Sequence, residues 1–315
     1  MARQGRIIPG TVPAVTRAAG GTRRQSWTWV RAGALALLLA ACQAAASESP
    51  AQSSVPVLPG SGASVTDQAS GVVLVLGDFG VGTPEEFAVA EAMRVVSAAR
   101  PVDALVTTGD NLYIDDADLV WNQPFGWVAE AGIPVWAAFG NHDVESESRL
   151  LIAEGLFGTE RYRSTQWGDV RFIILDANRP DDPGQLAWLD GQLAGAAGET
   201  VVAVFHQPAV SCSKHGATPS VVENWMDRFE AADVELVLQG HDHNYQHHLV
   251  DGIDYVVTGG GGHSLYPLTP CPDGSRPLAA AEEHHFVVLE QVEDRLEVAA
   301  IRPDGSVLDR FSVSP

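Results

Sequence analysis

Five short apolar runs, each closed by a compact polar group, are the feature that most restricts how this chain can fold. Val72–Leu76 runs into Gly77-Asp78-Phe79-Gly80. Residues 104–107 run into Gly109-Asp110-Asn111-Leu112-Tyr113, and residues 134–139 into Gly140-Asn141-His142-Asp143. Residues 201–205 are followed by His206, and residues 234–238 by Gly240-His241-Asp242-His243. Runs this short and this apolar read as buried strands. A parallel sheet would bring all five strand ends to one edge. Carboxylates, an amide oxygen, a phenol and imidazoles would then surround one point. Such a donor mixture suits a pair of hard-to-borderline metal ions.

Between the runs lie helix signals. Thr83-Pro84-Glu85-Glu86 reads as a capping box with proline at the first helical position. The helix Pro84–Ala99 should present Phe87, Ala90, Met93 and Val96 on one face, and Pro101 ends it. Helices are also expected from Gln185 onward and over residues 221–231, with strands at 170–175 and 254–258. From Phe286 the pattern becomes hairpin-like, with Pro303-Asp304-Gly305 as a turn. Strands alternating with helices early and antiparallel strands late predict an α/β fold of two mixed β-sheets, packed as a sandwich and flanked by helices.

The two ends read differently. Residues 1–41 hold Arg3, Arg6, Arg17, Arg23, Arg24 and Arg31 and no acid. The apolar run over residues 32–41 is too short to span a bilayer and reads as the h-region of an export signal. Leu39-Ala40-Ala41-Cys42 resembles a bacterial lipobox, which implies cleavage before Cys42, lipid on its thiol and an envelope location. A plain secretory signal cut near Ala45 is the alternative, and Arg23-Arg24 is a weak hint of a twin-arginine route. Residues 42–70 are rich in Ala, Ser, Pro and Gly and read as a tether, leaving residues 71–315 as the catalytic domain. Loss of residues 1–41 would leave 13 basic residues against 40 acids, a net charge of −27. That charge argues against nucleic-acid binding, which depends on neutralising phosphates. A phosphate substrate stays open, because bound metal ions reverse the sign locally. Cys212 and Cys271 both lie in polar loops of a chain read as exported, so a Cys212–Cys271 disulfide is expected over two free thiols.

In order and wording these motifs resemble the calcineurin-like metallophosphoesterases, and within them the purple acid phosphatases of the tartrate-resistant type. The resemblance covers residues 71–264. It implies a ferric site from Asp78, Tyr113 and His243, a divalent site (Fe, Zn or Mn) from Asn141, His206 and His241, and Asp110 as the bridge. The chemistry agrees. A phenolate is a hard anionic donor that favours ferric iron, whereas imidazole and an amide oxygen suit divalent ions. Most metallophosphoesterases have histidine where this chain has Gly80, and Tyr113 can supply the replacement ligand.

The implied reaction is hydrolysis of a phosphomonoester by in-line attack of a hydroxide held at the metal pair. His142 and His215 are the candidates for protonating the leaving group, and Lys214 reads as a solvated loop cation. His263 has no assigned role. Asp115, Asp116 and Asp118 read as a solvated loop, and His247, His248, His284 and His285 as surface positions. A phosphodiesterase or nucleotidase would share the metal core, because loops such as 208–219 and 265–277 shape the substrate pocket. A non-catalytic metal-containing surface lipoprotein is the rival from a different class.

Overall fold

The computed structural model describes residues 71–314. The expected export signal, the expected lipidation at Cys42 and the expected tether all fall outside the described residues. No helix among those described is long and apolar enough to cross a membrane.

Two mixed sheets make the frame. The first, in the order β13-β12-β11-β1-β2-β3, joins β1 (Val72–Leu76), β2 (Val102–Thr107) and β3 (Val135–Ala137) in parallel. The antiparallel strands β11 (Phe286–Val292), β12 (Arg295–Ile301) and β13 (Val307–Val313) extend it. The second runs β10-β8-β9-β7-β6-β5-β4. Its parallel centre is β5 (Val170–Ile174), β6 (Thr200–Val204), β7 (Leu236–Gln239) and β9 (Ile253–Thr258). Antiparallel β4 (Arg163–Trp167), β8 (Tyr245–Val250) and β10 (Ala279–Ala281) complete it. The five motif-bearing strand ends therefore come from two sheets, three from one and two from the other. This corrects the expectation of a single edge.

Burial follows the strand period of two. Val73 and Val75 face the core between the sheets with Val204, Leu238, Val256 and Val287. Val72, Leu74 and Leu76 point the other way, toward α1 (Pro84–Ala99), α2 (Gln123–Glu130) and α3 (Glu147–Phe157). Beyond the second sheet, α4 (Pro183–Ala194), α5 (Pro219–Val221) and α6 (Asp227–Ala231) cover Ile173, Val201 and Val237. Each fully buried Val or Leu side chain contributes roughly 1.5–3 kcal/mol of transfer free energy. Both faces of each sheet are covered, so the strands read as continuous apolar runs.

Helix α1 starts where its cap predicts, with Thr83 Oγ1 accepting from Glu86 N at 3.3 Å. Glu86 is fully buried and reaches back past the cap, accepting from Val81 N at 2.9 Å and Gly82 N at 2.7 Å. Burial pushes its carboxyl up to about 7 against those bonds. Helix α2 gives a weak sequence signal. Pro124 and Gly126 interrupt residues 118–130, yet the proline falls within the first two positions of α2, just after a π-helical turn over Asp118–Asn122.

Three histidines read as surface residues prove buried. His247, His248 and His285 are all at most 3% exposed. His247 Nε2 lies 2.7 Å from Asp254 and its Nδ1 3.0 Å from Asp309, which also accepts from Tyr245 Oη at 2.8 Å. Its ring stacks on Phe311 at 3.8 Å. This cluster ties β8 and β9 of one sheet to β13 of the other. Burial opposes the charged imidazole, but the two carboxylates win and raise its pKa to about 9. A folded-state pKa above the unfolded value gives stability that is complete below about pH 6.5 and lost as pH rises through 9. The denaturant midpoint is therefore expected to fall between pH 6.5 and 9.5, by on the order of 2–3 kcal/mol in stability. His247→Gln should flatten that slope. An unchanged slope in the variant would show that other groups carry it.

Candidate metal centre

Strand ends from both sheets converge on one cluster. Asp78 follows β1, Asp110 and Tyr113 follow β2, Asn141 follows β3, His206 follows β6, and His241 and His243 follow β7. Asp78, Asp110 and His206 are almost completely buried, and His243 is 2% exposed. Tyr113 Oη lies 3.0 Å from His243 Nε2 and 3.3 Å from Asp78 Oδ1. On the other side, His206 Nε2 is 3.1 Å from Asp110 Oδ2 and 3.2 Å from His241 Nδ1. Ligand atoms of Asp110, His206 and His241 all lie within 4.8 Å of one another.

Hydrogen bonds at the outer ring nitrogens aim the inner ones. His206 Nδ1 donates to the Thr108 carbonyl at 2.9 Å, and His243 Nδ1 to the Ser264 carbonyl at 2.8 Å. In the neutral ring each Nε2 would then be a lone pair facing the cluster, the arrangement in which imidazole binds metal. Asn141 Oδ1 is buried without a hydrogen-bond partner. A cation would satisfy it, and an orphaned buried amide oxygen is otherwise costly. These donors fit two cations, one near Asp78, Tyr113 and His243 and one near Asn141, His206 and His241.

Electrostatics points the same way. Burial raises the Tyr113 phenol, and Asp78 and Asp110 raise it further. Burial resists charge on Asp110, but His206 holds its carboxyl well below the usual range. Burial also opposes protonation of His206, yet Asp110 and Asp78 pull its pKa up to about 9. His241 goes the other way, down to about 3, through burial and then the neighbouring His206 and His215. The cluster without metal thus draws a proton to balance its carboxylates, the place a metal cation takes.

The backbone is strained at the same places. Asp78 (φ 57°), Asp110 (φ 49°) and His241 (φ 71°) are non-glycine residues in the left-handed region, each at a cost of about 1–3 kcal/mol. Gly80 (φ 55°) explains the paired difference at positions 80 and 113. A Cβ there would lie 2.1 Å from the Asn111 carbonyl oxygen, and the Gly80 carbonyl accepts from Tyr113 N at 2.8 Å. The contact that excludes a side chain at 80 belongs to the loop that presents the phenol. In the glycine run after β9, a Cβ on Gly259 would come within 2.9 Å of Asp78 Oδ2.

His142 and His215 both reach the cluster. The His142 ring packs on Tyr113 at 4.5 Å, with its Nδ1 2.9 Å from Glu145. The His215 ring packs on His241 at 4.0 Å. His263 joins them, 4.3 Å from Tyr113 and 4.5 Å from His243 between ring centres. Lys214 Nζ sits 3.9 Å over Tyr266, which stacks on His243 at 3.9 Å. Asp115, Asp116 and Asp118 stay exposed. Cys212 and Cys271 form the expected disulfide, tying the His215 loop to the loop after the glycine run. Closing a loop of 59 residues contributes about 4 kcal/mol on the chain-entropy estimate.

Two carboxylates carry structural work that their motifs did not announce. Asp143 accepts from Gly140 N at 2.7 Å, Asn111 Nδ2 at 2.9 Å and Leu112 N at 3.0 Å, stitching the loop after β2 to the loop after β3. Asp242 does the same for the His215 loop. Each sits next to a site histidine in the sequence, which was the available signal.

Fold and cluster together define a hydrolase of phosphoesters. A calcineurin-like phosphoesterase family profile matches residues 71–245, and the chain belongs to that family. Its relatives include tartrate-resistant acid phosphatase type 5 of Rattus norvegicus, 28% identical over 219 residues that cover 57% of this chain and 67% of that one. Purple acid phosphatase 7 of Arabidopsis thaliana is 25% identical over 284 residues, 76% of this chain and 85% of that one. In fold, the chain is similar to the yellow lupin purple acid phosphatase PPD1 with a TM-score of 0.64 at 19% identity, over 78% of this chain and 53% of that one.

Proposed function

We propose that the protein is a phosphomonoesterase of the acid phosphatase type with a dinuclear metal centre. Asp78, Tyr113 and His243 would hold a ferric ion, Asn141, His206 and His241 a divalent ion, and Asp110 would bridge them. The observation that carries this reading is the phenol oxygen of Tyr113, 3.0 Å from His243 Nε2 and 3.3 Å from Asp78. A hard oxygen donor at that point selects for a trivalent ion. When bound, the metal pair supplies Lewis acidity toward the phosphoryl group and activates water.

The chain's own groups do the rest. Asp110 and Asp78 are buried and would supply the negative charge that holds the cations. The glycine run brings bare backbone against Asp78, and the Tyr266 and His263 rings close one side of the cluster. His215 stands exposed beside His241, where a leaving alkoxide can take its proton. Burial lowers its pKa; Asp242 opposes this, while Lys214 and His243 add to it, so the protonated donor is populated on the acid side.

Leaving-group dependence tests the assignment. His215→Ala should slow alkyl phosphates by about a hundredfold or more, and nitrophenyl phosphate much less, since an activated phenol needs little protonation. Metal content should not change. An equal loss on both esters would make His215 a binding residue. Faster turnover of a nitrophenyl diester than of the monoester would favour a diesterase.

A further inference from the structure

We propose that Asp242, the residue between the two histidines of the Gly240-His241-Asp242-His243 motif, is a positioning residue for His215. The inference rests on the reading of His215 as proton donor, but its structural half stands apart from that reading.

Asp242 is fully buried. Its Oδ1 accepts from His215 N at 2.9 Å, and its Oδ2 from Ser211 Oγ at 2.6 Å and Gly216 N at 3.1 Å. One carboxylate thus takes three donors from a six-residue stretch, two of them main-chain amides at and beside the proposed acid. Other ties hold the start of the loop. Cys212 N donates to Gln246 Oε1 at 2.7 Å, Ser213 Oγ donates to the Pro267 carbonyl at 3.0 Å, and the disulfide fixes Cys212. For the backbone of His215 and Gly216, the anchor is Asp242. The His215 ring meets His241 and Tyr266 through ring contacts alone, 4.0 and 5.5 Å between centres, so its placement depends on the backbone that carries it. Gly216 has φ 68°, a turn that the anchored amides must keep. The short spacing from Asp242 to His241 and His243 has a purpose here. One turn of chain delivers two site imidazoles and the anchor that brings a third beside them.

Asp242→Asn is the diagnostic substitution. The shape is kept, but an amide nitrogen must now face either the His215 N–H or the Gly216 N–H with the Ser211 hydroxyl, so one main-chain donor meets a donor in either orientation. His215 should then lose its placement. Turnover of alkyl phosphates is expected to fall about tenfold or more, with a smaller loss on nitrophenyl phosphate. In the double variant with His215→Ala, the loss should equal that of His215→Ala alone, because residues acting through one another are not additive. Additive losses, or loss of metal in Asp242→Asn, would overturn the proposal.

A second readout does not involve activity. Lys214 is the only lysine in the chain, so a lysine-specific endoproteinase has one target, the Lys214–His215 bond. The amide nitrogen of that bond is the one that donates to Asp242. Cleavage of the full-length protein should be slow, and about tenfold or more faster in Asp242→Asn, because local opening controls access. The two fragments should separate only after reduction, since Cys212–Cys271 joins them. Equal cleavage rates would sink the proposal whatever the kinetics show. Faster cleavage with no leaving-group effect in His215→Ala would leave the anchor standing and remove the acid role. Should the variant not fold, amide exchange in the wild-type protein decides. The His215 and Gly216 amides should be protected despite their loop position, and exchange at free-peptide rates would overturn the proposal.

Discussion

Asp110→Asn is expected to remove nearly all turnover, by about a thousandfold or more, the rate equivalent of several kcal/mol of lost charge stabilisation. Asp110 is 1% exposed, and both its oxygens are engaged. Oδ2 lies 3.1 Å from His206, and Oδ1 accepts from His142 N at 2.8 Å. The substitution keeps the shape and deletes the charge that would offset repulsion between two cations. Metal analysis should show at least one ion lost. His241→Ala should act similarly, through the divalent half alone. A variant with near-wild-type rate and both ions bound would mean that the cluster is not the reaction centre.

Tyr113→Phe is the second large effect, and it is visible to the eye. A phenolate on ferric iron gives a charge-transfer band in the visible range, so the loaded wild-type protein should be coloured. Removing one oxygen should abolish the band while leaving the fold intact, because the ring keeps its packing against His142 and His263. Iron retained without colour in the variant fits the assignment. Colourless, active, iron-loaded wild-type protein would defeat it.

What could be read in the sequence was what local rules control. Helix α1 begins at the predicted residue because Thr83 and Pro84 are local signals, needing no tertiary partner. Helix α3 has a local cap as well, Ser146 Oγ accepting from Arg149 N at 3.2 Å, but no apolar face to go with it. Only Ala153 and Phe157 on it are buried, while Leu151 is 62% exposed, so its apolar residues do not mark one face. Strand β4 is polar over residues 163–166, up to the buried Trp167, and lies on a sheet edge. The cluster residues were legible because each sits just past an apolar strand. Tyr266 and the anchoring role of Asp242 were not, since both depend on loops distant in sequence meeting in space. His247 and His248 misled for a related reason. Adjacent residues on a strand face opposite sides, and adjacent polar residues suggest solvent on at least one of them. In a fold with layers on both faces of each sheet, neither side is solvent.

The position of β1 between β2 and β11 carries a consequence for how the protein comes into being. Val72 pairs with Glu290, and Val75 with Val287. Every residue of the cluster, from Asp78 to His243, has left the ribosome before the strand that flanks β1 is made. A nascent chain therefore displays its whole set of donors while the scaffold for the first of them is unfinished. Pairing across so long a stretch is slow, because loop closure precedes any gain from the contact. A chain stopped near residue 285 would hold all seven donors just past β1, β2, β3, β6 and β7 while β1 still lacked its β11 neighbour.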